Sequence, residues 1–325
     1  MPLLSNSCYQ PPLHLLGGHL QTIVPSLLRK APRVTLEKER LELADGDFLD
    51  LEWHRGKAQE GHQLVILCHG LEADAGASYV QEMAGALSRQ GWDVLAWSYR
   101  GCSGEMNRLP RFYHSGATED LAAVVTHALA SHSAEQIDLV GFSLGGNLIL
   151  KYLGEQGERV SSRLGRAVTF SVPCDLACSS RTLDTAFNRE IYMRRFIKSL
   201  AGKVRQKHAL FPEELDPTGL EKIRTFDEFD GRYTAPLHGF SGAEDYWKRS
   251  SSRPFLSKIR IPALLVNADN DPFLGAECYP RSEAAASDFF YLEIPHGGGH
   301  VGFPGGGREG AWMTKRALQF FENDL

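Results

Sequence analysis

The sequence predicts a protein of the α/β class, with a mostly parallel central sheet that is flanked by helices. Short apolar runs alternate along the chain with stretches of helical periodicity, as in repeated βα units. The 325 residues, of which 42% are hydrophobic, can bury one large core. One apolar run leads into Gly141-Phe142-Ser143-Leu144-Gly145-Gly146, which fits a sharp strand-to-helix turn with the serine at its tip. We expect a single domain over 1–325, preceded by an irregular arm over 1–32.

The regular elements follow one another after the arm. Ala44-Asp45-Gly46-Asp47 contains an Asp-Gly turn between two β-type runs, so we expect an opening antiparallel hairpin. The remaining strands are apolar runs bounded by turn residues, and the helices have apolar residues three and four apart. Predicted strands cover 34–43, 48–53, 64–68, 93–98, 137–140, 167–172, 263–267 and 289–294, and predicted helices cover 78–90, 118–131, 147–153 and 311–321.

The alternation stops between residues 177 and 260. This segment is rich in Arg, Lys, Phe and Tyr and has helical periodicity with several prolines. A structureless loop of this length is implausible inside a compact domain. We therefore expect an inserted helical cap over 177–260 that lies above the sheet and shapes an apolar acyl pocket.

Composition argues against several classes of partner. The net charge is only −5 and no run of five like charges occurs, so no nucleic-acid partner is expected. The cysteines are dispersed, which indicates reduced thiols, and Cys174 and Cys178 lack the second close pair of a zinc site. The glycine runs 297–299 and 305–307 lack the residues of a phosphate loop, so no nucleotide and no other cofactor is predicted. The six cysteines are Cys8, Cys68, Cys102, Cys174, Cys178 and Cys278.

The N-terminal residues have neither the basic region nor the long apolar region of a secretory signal. No apolar run reaches the roughly 18 residues that a membrane helix needs. We therefore expect a cytoplasmic protein with no integral membrane segment. Peripheral membrane contact and the oligomeric state stay open.

Ser143 is the candidate nucleophile. A serine hydroxyl is weakly nucleophilic at neutral pH and needs an imidazole base, which a carboxylate orients. In a sheet of this type the partners follow in the order Ser, Asp, His, on loops after later strands. Asp271 and His300 occupy such loops.

Two rivals fit the same loops, because spacing alone does not exclude Asp269 or His296. Asp271 is favoured because the loop needs two residues to turn away from its strand. His300 is favoured because three preceding glycines allow the backbone to bring an imidazole to Ser143. The same glycines make a helix over 296–300 costly, so a metal pair formed by the two histidines is not expected and no metal is predicted.

An oxyanion intermediate requires two backbone N–H donors. The first candidate is Leu144, directly after the nucleophile. The second is Leu71, which follows His69-Gly70 at the end of an apolar run. We expect His69 to form hydrogen bonds within this loop rather than act as a base.

Longer segments resemble the YheT-type esterases of the α/β-hydrolase superfamily, also called the AB hydrolase 4 family, from about residue 10 to 305. The resemblance rests on Gly17-Gly18-His19-Leu20-Gln21-Thr22, Tyr99-Arg100-Gly101-Cys102-Ser103-Gly104-Glu105, Arg111-Phe112-Tyr113-His114-Ser115-Gly116, Gly141 to Asn147, 225–230, 234–240 and Gly298-Gly299-His300-Val301-Gly302-Phe303. It implies an α/β-hydrolase fold with a helical cap and carboxylesterase activity, with Ser143 as nucleophile, Asp271 as orienting acid and His300 as base.

Two features of the resemblance bear on substrate and site. Related eukaryotic members act on lipids and carry a membrane anchor, which is not predicted here and disfavours a bilayer substrate. Asn270 stands where the family commonly has a second aspartate. We expect structural roles rather than pocket roles for four further family residues. These are His19, Arg100, Cys102 and His114.

The sequence thus predicts a serine hydrolase that cleaves carboxylic esters, of short- to medium-chain acyl groups, through an acyl-enzyme. The expected partner is a small-molecule ester or lipid-like substrate. A thioesterase or an acyltransferase would use the same residues, and a non-catalytic binding protein could keep the fold. A haloalkane dehalogenase is disfavoured because it needs a carboxylate in place of Ser143.

Overall fold

Nine strands form one sheet in the computed structural model, which describes residues 3–4, 7–29, 36–56, 63–305 and 311–322. The spatial order is β1-β9-β8-β7-β6-β4-β5-β3-β2. The pairs β2–β3 and β3–β5 are antiparallel, and all other neighbouring pairs are parallel. The strands are β1 Leu3–Leu4, β2 Glu37–Glu42, β3 Phe48–His54, β4 Gln63–Cys68, β5 Asp93–Ser98, β6 Gln136–Phe142, β7 Leu164–Phe170, β8 Ala263–Val266 and β9 Phe290–Glu293.

Helices cover both faces of this sheet, as predicted. Along β4, Leu64 and Ile66 pack into one core with helices 118–131 and 144–156, whereas Val65 and Leu67 pack into the other core with helices 78–89 and 312–321. This alternation follows from the two-residue period of a strand that is buried on both faces. The helices are α1 Gly17–Leu28, α2 Ser78–Arg89, α3 Thr118–Ser131, α4 Leu144–Gln156, α5 Leu176–Leu183, α6 Ala186–Asn188, α7 Arg194–Leu210, α8 Phe226–Phe229, α9 Ala235–Leu237, α10 Ala243–Ser250, α11 Arg281–Ala285 and α12 Trp312–Phe321.

Most predicted elements are present, with shifted ends. The strand predicted over 167–172 instead ends at Phe170, because Ser171 has a φ of 55° that turns the backbone out of the sheet. The helix predicted over 147–153 begins earlier, at Leu144. The first hairpin strand begins at Glu37, and residues 34–35 of its predicted range lie outside the described residues.

The prediction of an irregular arm over 1–32 is wrong for the part that forms α1. Pro25 lies inside this helix and cannot donate a hydrogen bond to the carbonyl of Gln21. Gly302 packs against that carbonyl so closely that a Cβ there would lie 1.8 Å from the oxygen. Tertiary packing therefore outweighs the helix-breaking composition. Residues 1–2, 5–6 and 30–32 of the arm lie outside the described residues, and β1 pairs with β9.

Every regular element between β7 and β8 is helical, and we call α5 to α10 the inserted helices. A π turn over Arg189–Met193 joins α6 to α7. The buried Lys207 of α7 donates hydrogen bonds to the carbonyl oxygens of Asn107, at 2.7 Å, and of Leu109. This side chain fastens α7 to a loop after β5. Within the described part of the chain, no helix is long and apolar enough to cross a membrane.

Candidate active site

Ser143 lies at the sharp turn between β6 and α4. Its backbone has φ 52° and ψ −118°, a combination that costs energy for any residue with a Cβ and that is frequent at functional sites. The turn fits only because its neighbours are small. A Cβ on Gly145 would lie 2.3 Å from the carbonyl oxygen of Cys68 at the end of β4. The strand-to-helix turn predicted around Ser143 is therefore present.

Ser143, His300 and Asp271 form a continuous chain of hydrogen bonds. His300 Nε2 lies 2.9 Å from Ser143 Oγ, and His300 Nδ1 lies 2.9 and 3.1 Å from the two oxygens of Asp271. Because Nδ1 faces a carboxylate, the ring proton belongs on Nδ1 and Nε2 can accept the serine proton. The Asp271 side chain is fully buried, and that of His300 is 9% exposed. The ring of Phe273 stacks on the imidazole at 4.0 Å between centroids.

The rival residues pair with each other instead. Asp269 Oδ2 lies 2.8 Å from His296 Nδ1, and Asp269 Oδ1 accepts the backbone N–H of Gly297. The His296 side chain is 94% exposed, whereas that of His300 is 9% exposed and lies beside Ser143. Among the described residues, no group of three or more His, Cys, Asp or Glu side chains is arranged to hold a metal ion.

The two predicted oxyanion donors, Leu71 and Leu144, line the same cavity as Ser143. As the first residue of α4, Leu144 has a backbone N–H without an acceptor inside the helix. Gly70 lies beside the nucleophile, since a Cβ there would be in ordinary contact with the Cβ of Ser143, at 3.4 Å. The Leu71 and Leu144 N–H groups are therefore candidate hydrogen-bond donors to an anionic oxygen.

His69 forms hydrogen bonds within its loop, as predicted. Its Nε2 accepts the backbone N–H of Tyr99 at 3.2 Å, so Nδ1 carries the proton and donates to the carbonyl of Gly70 at 2.7 Å. Burial lowers the pKa of His69 to about 3. The ring is therefore neutral and has no free nitrogen to act as a base.

Gln21 on α1 connects the two loops that carry Asp271 and His300, and sequence reasoning missed it. Its Oε1 accepts the backbone N–H of Gly298 at 2.7 Å and the side-chain amide of Asn270 at 3.0 Å. The oxygen of Asn270 in turn accepts the N–H of Gly299 at 3.0 Å. Asparagine suits this position because it donates and accepts at once, which an ionised aspartate cannot do.

Thr22, the next residue, supports the histidine directly. Its Oγ1 accepts the backbone N–H of His300 at 2.8 Å and donates to the carbonyl of Gly18 at 2.7 Å. Gly18 in turn contacts the Asp271 loop, since a Cβ there would lie 1.8 Å from the carbonyl of Asn270. The segment Gly17 to Thr22 is one of those that carry the family resemblance, and this was the signal for a role in the site. Residue types alone could not place α1 against the two loops.

Three of the four remaining family residues, Arg100, Cys102 and His19, are not among the residues that line the cavity. The buried Arg100 binds Asp120, Asp45 and Asp47, and burial raises the pKa of the Cys102 thiol to about 11. His19 Nδ1 lies 3.0 Å from the hydroxyl of Tyr192. His114 differs from these three because it lines the cavity, so the structural role predicted for it is incomplete.

A cavity of about 840 Å³ lies between Ser143 and the inserted helices. Its lining is mainly apolar and aromatic, with contributions from α4, α5, α7 and α8. The buried Asp230 is an exception, and its oxygens accept from Thr234 Oγ1 at 2.7 Å and from Trp247 Nε1 at 2.8 Å. Burial raises the pKa of Asp230 to about 6. Apolar lining residues include Leu144, Leu176, Leu183, Phe196, Leu200, Phe226 and Phe229.

Comparison with known proteins identifies relatives of this chain. Residues 63–305 match the model of the alpha/beta hydrolase fold family. The chain is 36% identical to "Putative esterase YheT" of Escherichia coli (strain K12), over 89% of this chain and 84% of that protein. It is 28% identical to phospholipase ABHD3 of Mus musculus, over 94% of this chain and 74% of that protein.

A solved structure shares the fold. An esterase of Pyrococcus furiosus superposes with a TM-score of 0.60 at 15% identity, covering 89% of this chain and 91% of that one. The esterase and phospholipase names of the relatives, together with the fold, support a hydrolase activity. Three quarters of the sequence lies within the matched family model, and the chain belongs to the α/β-hydrolase fold family.

Proposed function

We propose that this protein is a serine hydrolase that cleaves carboxylic esters through an acyl-enzyme intermediate. The observation that carries the proposal is the hydrogen-bonded chain Ser143–His300–Asp271, which opens into the 840 Å³ cavity. A nucleophile, a base and a buried orienting carboxylate are the parts that ester hydrolysis by serine requires.

The first step forms the acyl-enzyme. Ser143 Oγ attacks the carbonyl carbon of the ester while His300 Nε2, 2.9 Å away, accepts the hydroxyl proton. Asp271 stabilises the imidazolium through its hydrogen bonds to Nδ1. The N–H groups of Leu71 and Leu144 stabilise the negative oxygen of the tetrahedral intermediate. The imidazolium then protonates the leaving alkoxide, the C–O bond breaks, and the alcohol departs.

The second step returns the enzyme to its starting state. Water attacks the acyl carbon as His300 Nε2 removes one of its protons. The second tetrahedral intermediate collapses, the bond to Ser143 Oγ breaks, and the imidazolium returns the proton to the serine. The products are a carboxylic acid and an unmodified hydroxyl, so the cycle consumes one ester and one water.

The inserted helices suggest the substrate class. We propose that residues 1–325 form a single domain and that the segment 177–260 within it acts as a cap. The helices of this segment form much of the apolar lining of the cavity. A largely apolar cavity of this size fits an acyl chain better than a charged group. The acyl groups proposed are short to medium in length, and the substrate is a small ester or a lipid-like one.

Hydrolysis of p-nitrophenyl esters from acetate to palmitate, by the wild type and by Ser143→Ala, tests the proposal. We expect turnover by the wild type with an optimum in the short to medium range, and loss of turnover in the variant. Unchanged activity of Ser143→Ala would remove the serine from the mechanism. No turnover of any ester by a folded wild type would overturn the esterase proposal, and acyl thioesters with added acyl acceptors would then be tried.

A further inference from the structure

Helix α1 presents its apolar side outward, which is the reverse of a normal surface helix. The residues that it packs against the body are small or polar, and they are Gly18, Gln21, Thr22 and Pro25. The opposite stripe, at helical spacing, is apolar and consists of Leu16, Leu20, Ile23 and Leu27, of which Ile23 is half-buried and packs against the core. Leu16, Leu20 and Leu27 are 76%, 44% and 70% exposed.

A second exposed apolar segment adjoins this stripe. Phe187 and Ile191, on α6 and the π turn that follows it, are 54% and 44% exposed. The two segments are joined by His19, whose ring lies 4.4 Å from that of Phe187. We call Leu16, Leu20, Ile23, Leu27, Phe187 and Ile191 the apolar rim. Contiguous exposed apolar surface of this kind marks an interaction site.

The apolar rim borders the mouth of the substrate cavity. Ile23, Leu27 and Ile191 line the cavity that contains Ser143, and the same side chains continue onto the outer surface. An acyl chain that leaves an apolar phase could therefore reach the cavity along these apolar side chains, although the exposed Ser26 and Arg195 line the cavity as well. A protein partner on the rim would instead cover this entrance.

The charged residues near the apolar rim indicate which kind of apolar phase the rim binds. The first 28 residues contain no Asp, Glu, Lys or Arg, so the stripe carries no charge that opposes burial in lipid. Helix α7 begins three residues after Ile191, and its 17 residues include six Lys or Arg and no Asp or Glu. Lys207 is buried and Lys203 pairs with Glu72, so four of the six cations are exposed. Arg195 of this helix lines the cavity itself. Cations beside an exposed apolar helix face are the signature of binding to an anionic lipid surface.

We propose that the apolar rim docks on the surface of an anionic lipid layer, with α1 lying in the interface and the cavity mouth facing the acyl chains. Arg195 and Lys198 would contact the headgroups. The proposal goes beyond the esterase function and concerns binding only, so it holds or fails independently of turnover. It also differs from the expectation in the sequence analysis that a bilayer substrate is disfavoured.

Co-sedimentation of the full chain with vesicles tests the proposal. One set of vesicles contains phosphatidylcholine alone and the other contains phosphatidylcholine with phosphatidylglycerol, at low and at physiological salt. We expect the wild type to pellet with the anionic vesicles at least tenfold more strongly than with the neutral ones. High salt should reduce this preference, because it screens exposed charges. Equal recovery in the supernatant with both vesicle types would overturn the proposal.

The variants separate the apolar and the charged contributions. The double variant Leu16→Gln/Leu20→Gln should lose at least tenfold in vesicle binding, and Arg195→Gln/Lys198→Gln should lose the preference for anionic vesicles. Leu210→Gln is the matched control, because Leu210 is 59% exposed at the far end of α7, roughly 24 Å along the helix from Arg194. Binding by the Leu16/Leu20 variant equal to that of the control would contradict the proposal.

Two further measurements distinguish the alternatives. Light scattering in the absence of lipid identifies a second copy as the occupant if the wild type is a dimer and the Leu16/Leu20 variant is a monomer, an outcome that overturns lipid docking. Ser143→Ala should bind anionic vesicles as the wild type does. Lipid binding would then stand even if the esterase activity proved absent, and esterase activity without lipid binding would reject the docking surface alone.

Discussion

Ser143, Asp271 and His300 come from three separate loops, and the distances between their polar atoms are all within hydrogen-bond range. The order Ser, Asp, His was predictable because parallel strands direct their carboxyl ends to one edge of the sheet. The preference for Asp271 over Asp269 rested on loop length and on the family resemblance, because the two carboxylates are only two residues apart and the sequence does not show the backbone path of their loop. The structure places Asp269 against the exposed His296 instead.

Asp271→Asn tests this assignment against Asp269→Asn as its matched control. The amide at 271 cannot hold the proton on Nδ1 of His300 as the carboxylate does, so we expect kcat for a p-nitrophenyl ester to fall about 10⁴-fold. Asp269→Asn should stay within about threefold of the wild type, since it contacts neither Ser143 nor His300. Steady-state kinetics of both variants would contradict the assignment if the larger loss occurred at position 269.

Gln21 is a positioning residue whose effect should appear in kcat. Gln21→Met keeps the volume of the side chain but removes the acceptor that Gly298 and Asn270 share. We expect kcat to fall between about tenfold and a hundredfold with KM nearly unchanged, because the His300 loop loses its fixed position.

Gln81→Met provides the control for Gln21→Met. Both glutamines are buried, and the amide of each donates to a backbone carbonyl six residues earlier, at 2.8 Å. Each variant should therefore lose about 1–3 kcal/mol in free energy of unfolding. Equal losses of kcat in the two variants would show that Gln21 contributes stability only.

At the scale of elements, the turn between β6 and α4 depends on close backbone contact. Gly145→Ala would force a Cβ to within 2.3 Å of the Cys68 carbonyl, so we expect the variant to lose about 3 kcal/mol in unfolding free energy. Gly202→Ala is the control, because a Cβ on this glycine of α7 meets no atom within 4 Å. It should gain about 0.5–1 kcal/mol. Thermal and urea unfolding measure both changes. Equal changes in unfolding free energy in Gly145→Ala and Gly202→Ala would contradict this view.

The π turn over Asp230–Thr234, which joins α8 to α9, contains a titratable group that should make stability depend on pH. Asp230 has a folded-state pKa of about 6, above the ordinary value of about 3.9 that applies to the unfolded chain. Between these values the folded state holds more protons than the unfolded state, so stability falls as the pH rises. Below pH 4 the Asp230 carboxyl is protonated in both states. Above pH 6 it is ionised in both states, and its burial then lowers the unfolding free energy by the full amount of about 3 kcal/mol.

Asp230→Asn isolates this contribution. The amide can still accept from Trp247 and approach Thr234, but it does not titrate. We expect the unfolding free energy of the wild type, relative to the variant, to decrease by about 3 kcal/mol from pH 4 to pH 7. Urea unfolding at several pH values measures this difference. A difference that is constant over that range would show that the carboxyl is not destabilised by burial.

The inserted helices and α1 also mark the limits of sequence reasoning. Helical periodicity and length predicted helices between β7 and β8, because a structureless segment of that size is unfavourable. Nothing local predicted α1, since Gly17, Gly18 and Pro25 all disfavour a helix interior. Its stability depends on contacts with loops nearly 300 residues away in the chain, such as the hydrogen bond from His300 to Thr22.

On the scale of the whole molecule, local sequence patterns predict the sheet but not the cavity. The strand runs and their alternation with helices predicted a sheet of the α/β class, since central strands such as β4, β5 and β6 are buried on both faces. The cavity depends on how the inserted helices and α1 pack over the sheet edge, which involves contacts between distant segments. The exposed apolar side of α1 could therefore be recognised only once its buried side was known.

The most direct test of the central claim is mass spectrometry of the protein during turnover of a p-nitrophenyl ester, quenched in acid within the first turnovers. We predict that the peptide containing Ser143 gains the mass of one acyl group in the wild type, and that no such adduct forms in Ser143→Ala. Ester turnover without any acyl adduct on this peptide, or an adduct on another residue that persists in Ser143→Ala, would contradict the account.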